Sequence, residues 1–98
     1  MRYSINWTRS AETDYLQIID YLLQNWPVSV AENFIEITEN RIQQIQIFPL
    51  SSAIIHERKK IRKCILTKHN SLYYRVAKNK IHILRIFDVR QDPLKLQF

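Results

Sequence analysis

Apolar side chains recur at helical spacing in the first part of the chain. Between residues 11 and 26 they lie three and four positions apart, which predicts a helix with one buried face. The apolar positions are Ala11, Tyr15, Ile18, Ile19, Leu22, Leu23 and Trp26. Thr8 or Ser10 can cap the start of this helix, and Pro27 predicts its end or a sharp corner.

A second apolar stripe follows at once and predicts a second helix. Its members are Ala31, Phe34, Ile35, Thr38, Ile42 and Ile45. Ser29 with Glu32 three residues later predicts a capping box, and Pro49 predicts the end of the helix. Because so few residues join the two helices, we expect an antiparallel helical hairpin.

The remaining segments have the pattern of strands. Residues 3–7 alternate apolar and polar side chains, which predicts a half-buried strand. Residues 61–66, 71–77 and 80–87 are rich in β-branched and aromatic side chains and predict three more strands. Asn79 tolerates the left-handed conformation, so it predicts a tight hairpin between the last two. Residues 50–60 lack clean periodicity and predict a loop, with a short helical or extended piece as the alternative.

The order β-α-α-β-β-β predicts one α+β domain over residues 1–98. In this class the helical hairpin packs on one face of a small, mainly antiparallel sheet. The chain has 98 residues and is 46% hydrophobic, which is enough for a single core.

Composition excludes several classes of site. Glycine is absent, so no Gly-rich phosphate loop, dinucleotide fingerprint or nucleophile elbow can form. Cys64 is the only cysteine, and the three histidines lack the spacing of metal ligands, so we expect no disulfide, metal or cofactor. No apolar run is long enough to cross a bilayer and no signal peptide is evident, which predicts a cytoplasmic protein without membrane contact.

The charge of the chain is unevenly distributed. Residues 1–49 carry three Lys and Arg against six Asp and Glu, a net of −3, whereas residues 50–98 carry twelve against three, a net of +9. This asymmetry predicts an acidic partner for the second half, either nucleic acid or an acidic protein segment. A solvated basic surface without a partner is the alternative.

The densest basic run is HERKKIRK, residues 56–63, which passes from the loop into a strand. Clustered Lys and Arg side chains bind phosphates by charge alone. The alternative is that Lys59 and Lys60 protect an exposed sheet edge from aggregation. Tyr73 and Tyr74 lie nearby and offer rings for base stacking, but we favour a core role in which one of them points inward.

Two arginines mark the end of the last predicted strand. Arg85 shares a predicted strand side with the apolar residues Ile81, Ile83 and Phe87, so it needs a partner such as Asp88 or a helix carboxylate. Arg90 follows the strand, where it is either functional or part of a structural network with Asp88 and Asp92.

The whole chain resembles the RelE/ParE superfamily of bacterial toxins from type II toxin–antitoxin modules. The similarity lies in Trp7 and SAETDYLQIIDYL, in AENFIEITENRIQQIQIFP and above all in NSLYYRVAKNKIHILRIFDVRQDP. The resemblance implies a small toxin held inactive by a cognate antitoxin, which wraps an acidic, partly disordered segment around it. Such pairs bind operator DNA through the antitoxin.

RelE-like members cut mRNA on the ribosome, with basic residues that stabilise the phosphate transition state and without a metal. The resemblance implies that Arg62 and Arg90 would take two of these catalytic positions. Three other positions depart from that pattern, because Cys64, Ser71 and Leu96 stand where lysine, arginine and tyrosine are expected. These departures argue against ribonuclease activity, although Lys68 and His69 are among the residues that can compensate.

ParE-like members instead inhibit DNA gyrase without catalytic residues of their own, and the C-terminal third resembles them more closely. Gyrase is therefore slightly favoured as the target over the ribosome and its mRNA. A degenerate toxin, and a basic nucleic-acid-binding module without toxicity, are further alternatives. The residues expected to contact the target or the antitoxin are Lys59, Lys60, Arg62, Lys63, Lys68, Arg85 and Arg90.

Overall fold

A computed structural model describes residues 2–98. The elements are β1 (Ser4–Trp7), α1 (Arg9–Asn25), α2 (Val28–Ile47), β2 (Ile54–His56), β3 (Ile61–Ile65), β4 (Asn70–Ala77), β5 (Lys80–Asp88) and a 3₁₀ turn (Pro93–Lys95). The strands form one sheet in the order β1-β5-β4-β3-β2, in which β1 is parallel to β5 and the other pairs are antiparallel. The predicted α+β class is confirmed. Residues 50–60 were predicted as a loop, with a short helical or extended piece as the alternative. The short strand β2 lies within them, so the extended alternative is confirmed.

The helical hairpin forms where the apolar stripes predict it, but its second cap differs. Thr8 caps α1, and its hydroxyl accepts a hydrogen bond from the backbone N–H of Ala11 at 3.2 Å. Pro27 occupies the cap position of α2, without a side-chain hydrogen bond. The predicted capping box of Ser29 and Glu32 is wrong because α2 starts one residue before Ser29, which already lies in the first turn.

The main core lies between the two helices and one face of the sheet. Its buried members are Ala11, Phe34, Ile45, Cys64, Leu66, Leu72, Tyr74, Ile81, Ile83 and Ile86. Leu23 and Trp26 are exceptions to the predicted stripe, because 47% of Leu23 and 55% of Trp26 remain exposed. Both lie at or just after the last turn of α1, close to the hairpin tip. No helix within residues 2–98 has the length and apolar character needed to span a membrane.

The opposite sheet face, called the open face below, carries a second cluster of buried side chains. Ile61, Tyr73 and Phe87 pack there beneath Leu96. The ring of Phe98 lies 5.4 Å from that of Tyr73, measured between centroids. The C-terminal residues therefore cover part of this face. Tyr73 is buried on this face, whereas Tyr74 is buried in the main core, so one of the two neighbouring tyrosines points inward, as the sequence predicted.

A β-bulge in β5 decides which face Arg85 occupies. Tyr73 pairs with Arg85 and Tyr74 pairs with Ile83, so Leu84 is an extra residue in β5. Past the bulge the alternation of side chains changes phase. Arg85 thus shares the open face with Tyr73, and its predicted common side with Ile81 and Ile83 is wrong.

Candidate functional site

Arg62, one of the two predicted catalytic residues, holds a loop in place. Its Nη1 donates hydrogen bonds to the backbone carbonyls of Leu50 at 3.1 Å and Ser52 at 2.6 Å. Tyr74, its partner across the strand pair, donates from its hydroxyl to the carbonyl of Pro49 at 2.7 Å. These contacts tie the connection after α2 to the sheet. The guanidinium of Arg62 is thus engaged by the chain itself.

Arg85 joins three parts of the fold. Its Nε and Nη2 donate to the carboxylate of Asp14 in α1 at 2.6 and 3.1 Å. Its Nη1 donates to the carbonyls of Lys95 at 3.3 Å and Gln97 at 3.2 Å. Asp14 also accepts the backbone N–H of Ile86 at 3.1 Å. The helix carboxylate was one of the two predicted partners, and the hydrogen bonds to Asp14 hold the pKa of Arg85 above its usual value.

Arg90 pairs with Asp88 two residues earlier. Its Nε and Nη2 lie 3.0 and 2.7 Å from the two carboxylate oxygens, and its backbone N–H adds a bond of 2.9 Å. The hydrogen bond from Arg90 holds the pKa of Asp88 below its usual value. The Arg90 side chain is still 58% exposed. Asp92 caps the 3₁₀ turn instead, where it accepts the N–H of Leu94 at 3.0 Å.

A groove of about 560 Å³ runs between α1 and the end of β5. Its apolar wall contains Ile18, Leu22, Ile86 and Phe87, and its charged groups are Asp14, Arg85, Asp88, Arg90 and Lys95. Both signs of charge are present, and the cations of Arg90 and Lys95 are exposed. The groove combines apolar walls with a few oriented polar groups, which is the character of a surface that accepts a peptide segment.

The two arginines expected to act in RNA cleavage do not converge. Arg62 is in register with Tyr74, whereas Asp88, the partner of Arg90, is in register with Asn70. These register positions lie four residues apart along β4, or about 13 Å. The side chain of Arg62 is bound to loop carbonyls, and that of Arg90 is paired with Asp88.

The lysines of the predicted site are distributed over different surfaces. Lys59 and Lys60 are exposed in the turn between β2 and β3, and Lys68 is exposed in the turn between β3 and β4. Lys63 lies within β3 and is half-buried. Since neighbouring residues of a strand point to opposite faces, Lys63 and Arg62 face opposite sides of the sheet.

The positions that depart from the ribonuclease pattern are used for packing. Cys64 is buried in the main core, where burial raises the pKa of its thiol. Ser71 is 2% exposed, and Leu96 packs against the cluster that contains Tyr73. Within residues 2–98, no three His, Cys, Asp or Glu side chains come together as metal ligands would. Sequence reasoning missed Asp14, which gave no local signal because its partner lies 71 positions away.

Comparison with known proteins identifies the family of this chain. Residues 5–93 match the ParE toxin family of type II toxin–antitoxin systems, parDE. The chain belongs to this family. It is therefore a type II toxin of the RelE/ParE superfamily, as the sequence resemblance predicted.

Solved structures share the fold of this toxin. The chromosomal ParDE toxin–antitoxin system of P. aeruginosa matches with a TM-score of 0.74 and 24% identity, covering 90% of this chain and 97% of that one. The RelBE2 toxin–antitoxin complex of Mycobacterium tuberculosis matches at 0.62 and 16%, covering 90% and 99%. The YoeB/ParE toxin of Agrobacterium tumefaciens matches at 0.64 and 13%, covering 87% and 96%. A comparison with curated proteins gave no sequence match.

Proposed function

We propose that this toxin inhibits bacterial growth by acting on DNA gyrase through surface contacts, without cutting RNA. The observation that carries the proposal is the separate engagement of Arg62 and Arg90, one with loop carbonyls and the other with Asp88. Phosphate cleavage needs cations that converge on the developing charge. Membership of the ParE family and the fold shared with the ParDE system of P. aeruginosa also support this target.

Controlled expression in a bacterium tests the target. We expect growth arrest with gyrase-linked DNA breaks and inhibition of supercoiling by the purified toxin, while mRNA stays intact. Codon-phased mRNA cuts with undisturbed gyrase would instead establish the ribosome-dependent ribonuclease. Arg90→Ala serves as the diagnostic variant, because it removes an exposed cation and should abolish those cuts if Arg90 stabilises the scissile phosphate. Normal growth during expression would contradict both toxin mechanisms.

We further propose that an acidic antitoxin neutralises the toxin by placing an extended or helical segment in the groove beside α1. The apolar wall supplies anchoring contacts, and Arg90 is an exposed donor for a carboxylate. The P. aeruginosa structure is of a ParDE toxin–antitoxin system, and the M. tuberculosis structure is of a toxin–antitoxin complex, which agrees with such a partner. We propose that the toxin–antitoxin pair binds its operator DNA through the antitoxin. We also propose that the toxin acts in the cytoplasm, where gyrase is found.

Co-expression with the product of an adjacent gene tests this partner. We expect restored growth, a stable complex on purification, and weaker binding when Arg90→Glu places a like charge opposite the acidic segment. Lys78→Glu makes the same charge change in the β4–β5 turn, outside the groove, and should weaken binding far less. Equal weakening by the two variants would contradict the assignment of the groove.

A further inference from the structure

The fold gathers cations from distant parts of the sequence at one end of the sheet. Ser4 of β1 pairs with Lys80 of β5, and Lys80 also pairs with Ala77 of β4. The β2–β3 turn lies at this same end, because β3 and β4 are antiparallel and Arg62 is opposite Tyr74. Seven exposed cations result, here called the basic end: Arg2, Arg58, Lys59, Lys60, Arg75, Lys78 and Lys80.

Acidic residues are concentrated elsewhere. The structure describes all nine Asp and Glu residues, and Glu57 is the only one of them at the basic end. Its carboxylate lies 3.7 Å from the ammonium of Lys60. Six others lie on α1 and α2, and Asp88 and Asp92 lie at the opposite end of β5. The basic end thus carries a net charge of +6, equal to that of the whole chain.

The cations of the basic end are arranged along a row of strand ends. Neighbouring strands lie about 4.8 Å apart, so the five strand ends from β1 to β2 span about 19 Å. The turns protrude, with positive φ at Lys60, Lys78 and Asn79. Residues 57–60 and 78–80 contain no apolar side chain. Long, flexible cations along such an edge suit evenly spaced phosphates, whereas an acidic peptide that folds on binding needs apolar anchors.

We propose that the basic end binds the phosphate backbone of duplex DNA without reading its sequence. A duplex is favoured over single strands because Tyr73 and Tyr74 are buried and cannot provide a stacking platform. Binding of this kind would hold the toxin on DNA, the substrate of gyrase, and raise its local concentration there. The DNA contact itself does not rest on the gyrase proposal, so either can fail alone.

Fluorescence anisotropy with a labelled duplex of about 25 base pairs and arbitrary sequence tests the proposal. If about five phosphates are neutralised, raising NaCl from about 50 to 200 mM should weaken binding about 500-fold. The variant Lys59→Gln/Lys80→Gln removes two of these contacts without altering a residue of positive φ. The same increase in salt should weaken the DNA binding of this variant only about 40-fold, and the variant should bind more weakly than the unaltered protein at every salt concentration.

A matched control distinguishes the effect of the basic end on DNA binding from the effect of net charge. Arg9→Gln/Arg41→Gln also removes two exposed cations, both on the helices. We expect it to retain most of the affinity and nearly the full salt dependence. Circular dichroism checks that each variant is folded.

Four outcomes would overturn the proposal. They are the absence of DNA binding at low salt, equal losses in the two double variants, tighter binding to single-stranded RNA than to the duplex, and displacement of the duplex by polyglutamate at matched charge concentration. A supercoiling assay on the same preparations distinguishes the two proposals. DNA binding without gyrase inhibition would refute the proposed target alone, and gyrase inhibition without DNA binding would refute this inference alone.

Discussion

Replacing Arg85 by alanine should destabilise the fold more than any other single loss of charge in the groove. The substitution removes two hydrogen bonds to the carboxylate of Asp14 and two to the carbonyls of Lys95 and Gln97. The Asp14 side chain is only 13% exposed and would keep the hydrogen bond from the N–H of Ile86. An ionised carboxylate left in that position loses most of the groups that replace its hydration.

The magnitude follows from the burial of the pair. Removing one partner of a buried ion pair costs about 3–5 kcal/mol. The side chains of Arg85 and Asp14 retain 19% and 13% exposure, so we expect a loss near the lower limit, about 3 kcal/mol. In a domain of this size each kcal/mol lowers the melting temperature by about 4–8 °C, which gives a decrease of about 12–24 °C.

Urea unfolding followed by tryptophan fluorescence and circular dichroism measures this loss. Arg90→Ala is the matched control, because it also breaks a two-pronged arginine–aspartate pair but removes an arginine that is 58% exposed. Its effect on the free energy of unfolding should be much smaller because solvent screens the exposed pair. A double-mutant cycle with Asp14→Asn isolates the coupling between Arg85 and Asp14. Equal losses for Arg85→Ala and Arg90→Ala would refute the reasoning, as would a coupling energy near zero.

Three further predictions concern single side chains. Tyr74→Phe should lower the free energy of unfolding by about 1–3 kcal/mol, because the buried carbonyl of Pro49 loses its donor; an unchanged urea midpoint would contradict this. Cys64 should react slowly with iodoacetamide until the protein unfolds, because burial raises the pKa of its thiol; rapid labelling of the native protein would show otherwise. The depressed pKa of Asp88 contributes stability that is present above the usual aspartate pKa and is lost as pH falls through the native value. Carboxyl NMR titration should therefore show a low pKa that rises in Arg90→Gln, and the same pKa in both proteins would argue against this pairing.

Periodicity was sufficient to predict most of the architecture, because it reports contacts that each element makes along its whole length. The helical hairpin and the β4–β5 turn follow from local signals, and the positive φ of Asn79 was expected from its side chain. Structural features that depend on one or a few residues were not predicted. The bulge at Leu84 leaves no mark in a strand that is apolar on both faces. Likewise, nothing near Tyr73 indicates that residues 96–98 will cover it.

It was harder to predict which group each charged side chain pairs with than to predict that it is paired. The pair of Arg90 and Asp88 is local, so it was among the alternatives from sequence. Arg85 required a carboxylate because of its apolar neighbours, but spacing alone did not select Asp14. Arg62 bonds to backbone carbonyls, which every residue has and no pattern distinguishes. Of the residues predicted to contact a partner, only Arg85 and Arg90 line the groove, and the sequence did not indicate how they are arranged there.

The charge asymmetry of the sequence becomes a spatial polarity through the fold. The acidic first half forms mainly the helices, whereas the basic second half forms most of the sheet and its turns. Antiparallel pairing then brings the β2–β3 and β4–β5 turns to one end, while the groove lies beside α1 and the far end of β5. One surface offers cations without apolar anchors and the other offers apolar walls with charges of both signs. Because these surfaces differ in chemistry and position, a segment bound as proposed in the groove would leave the basic end accessible to phosphate.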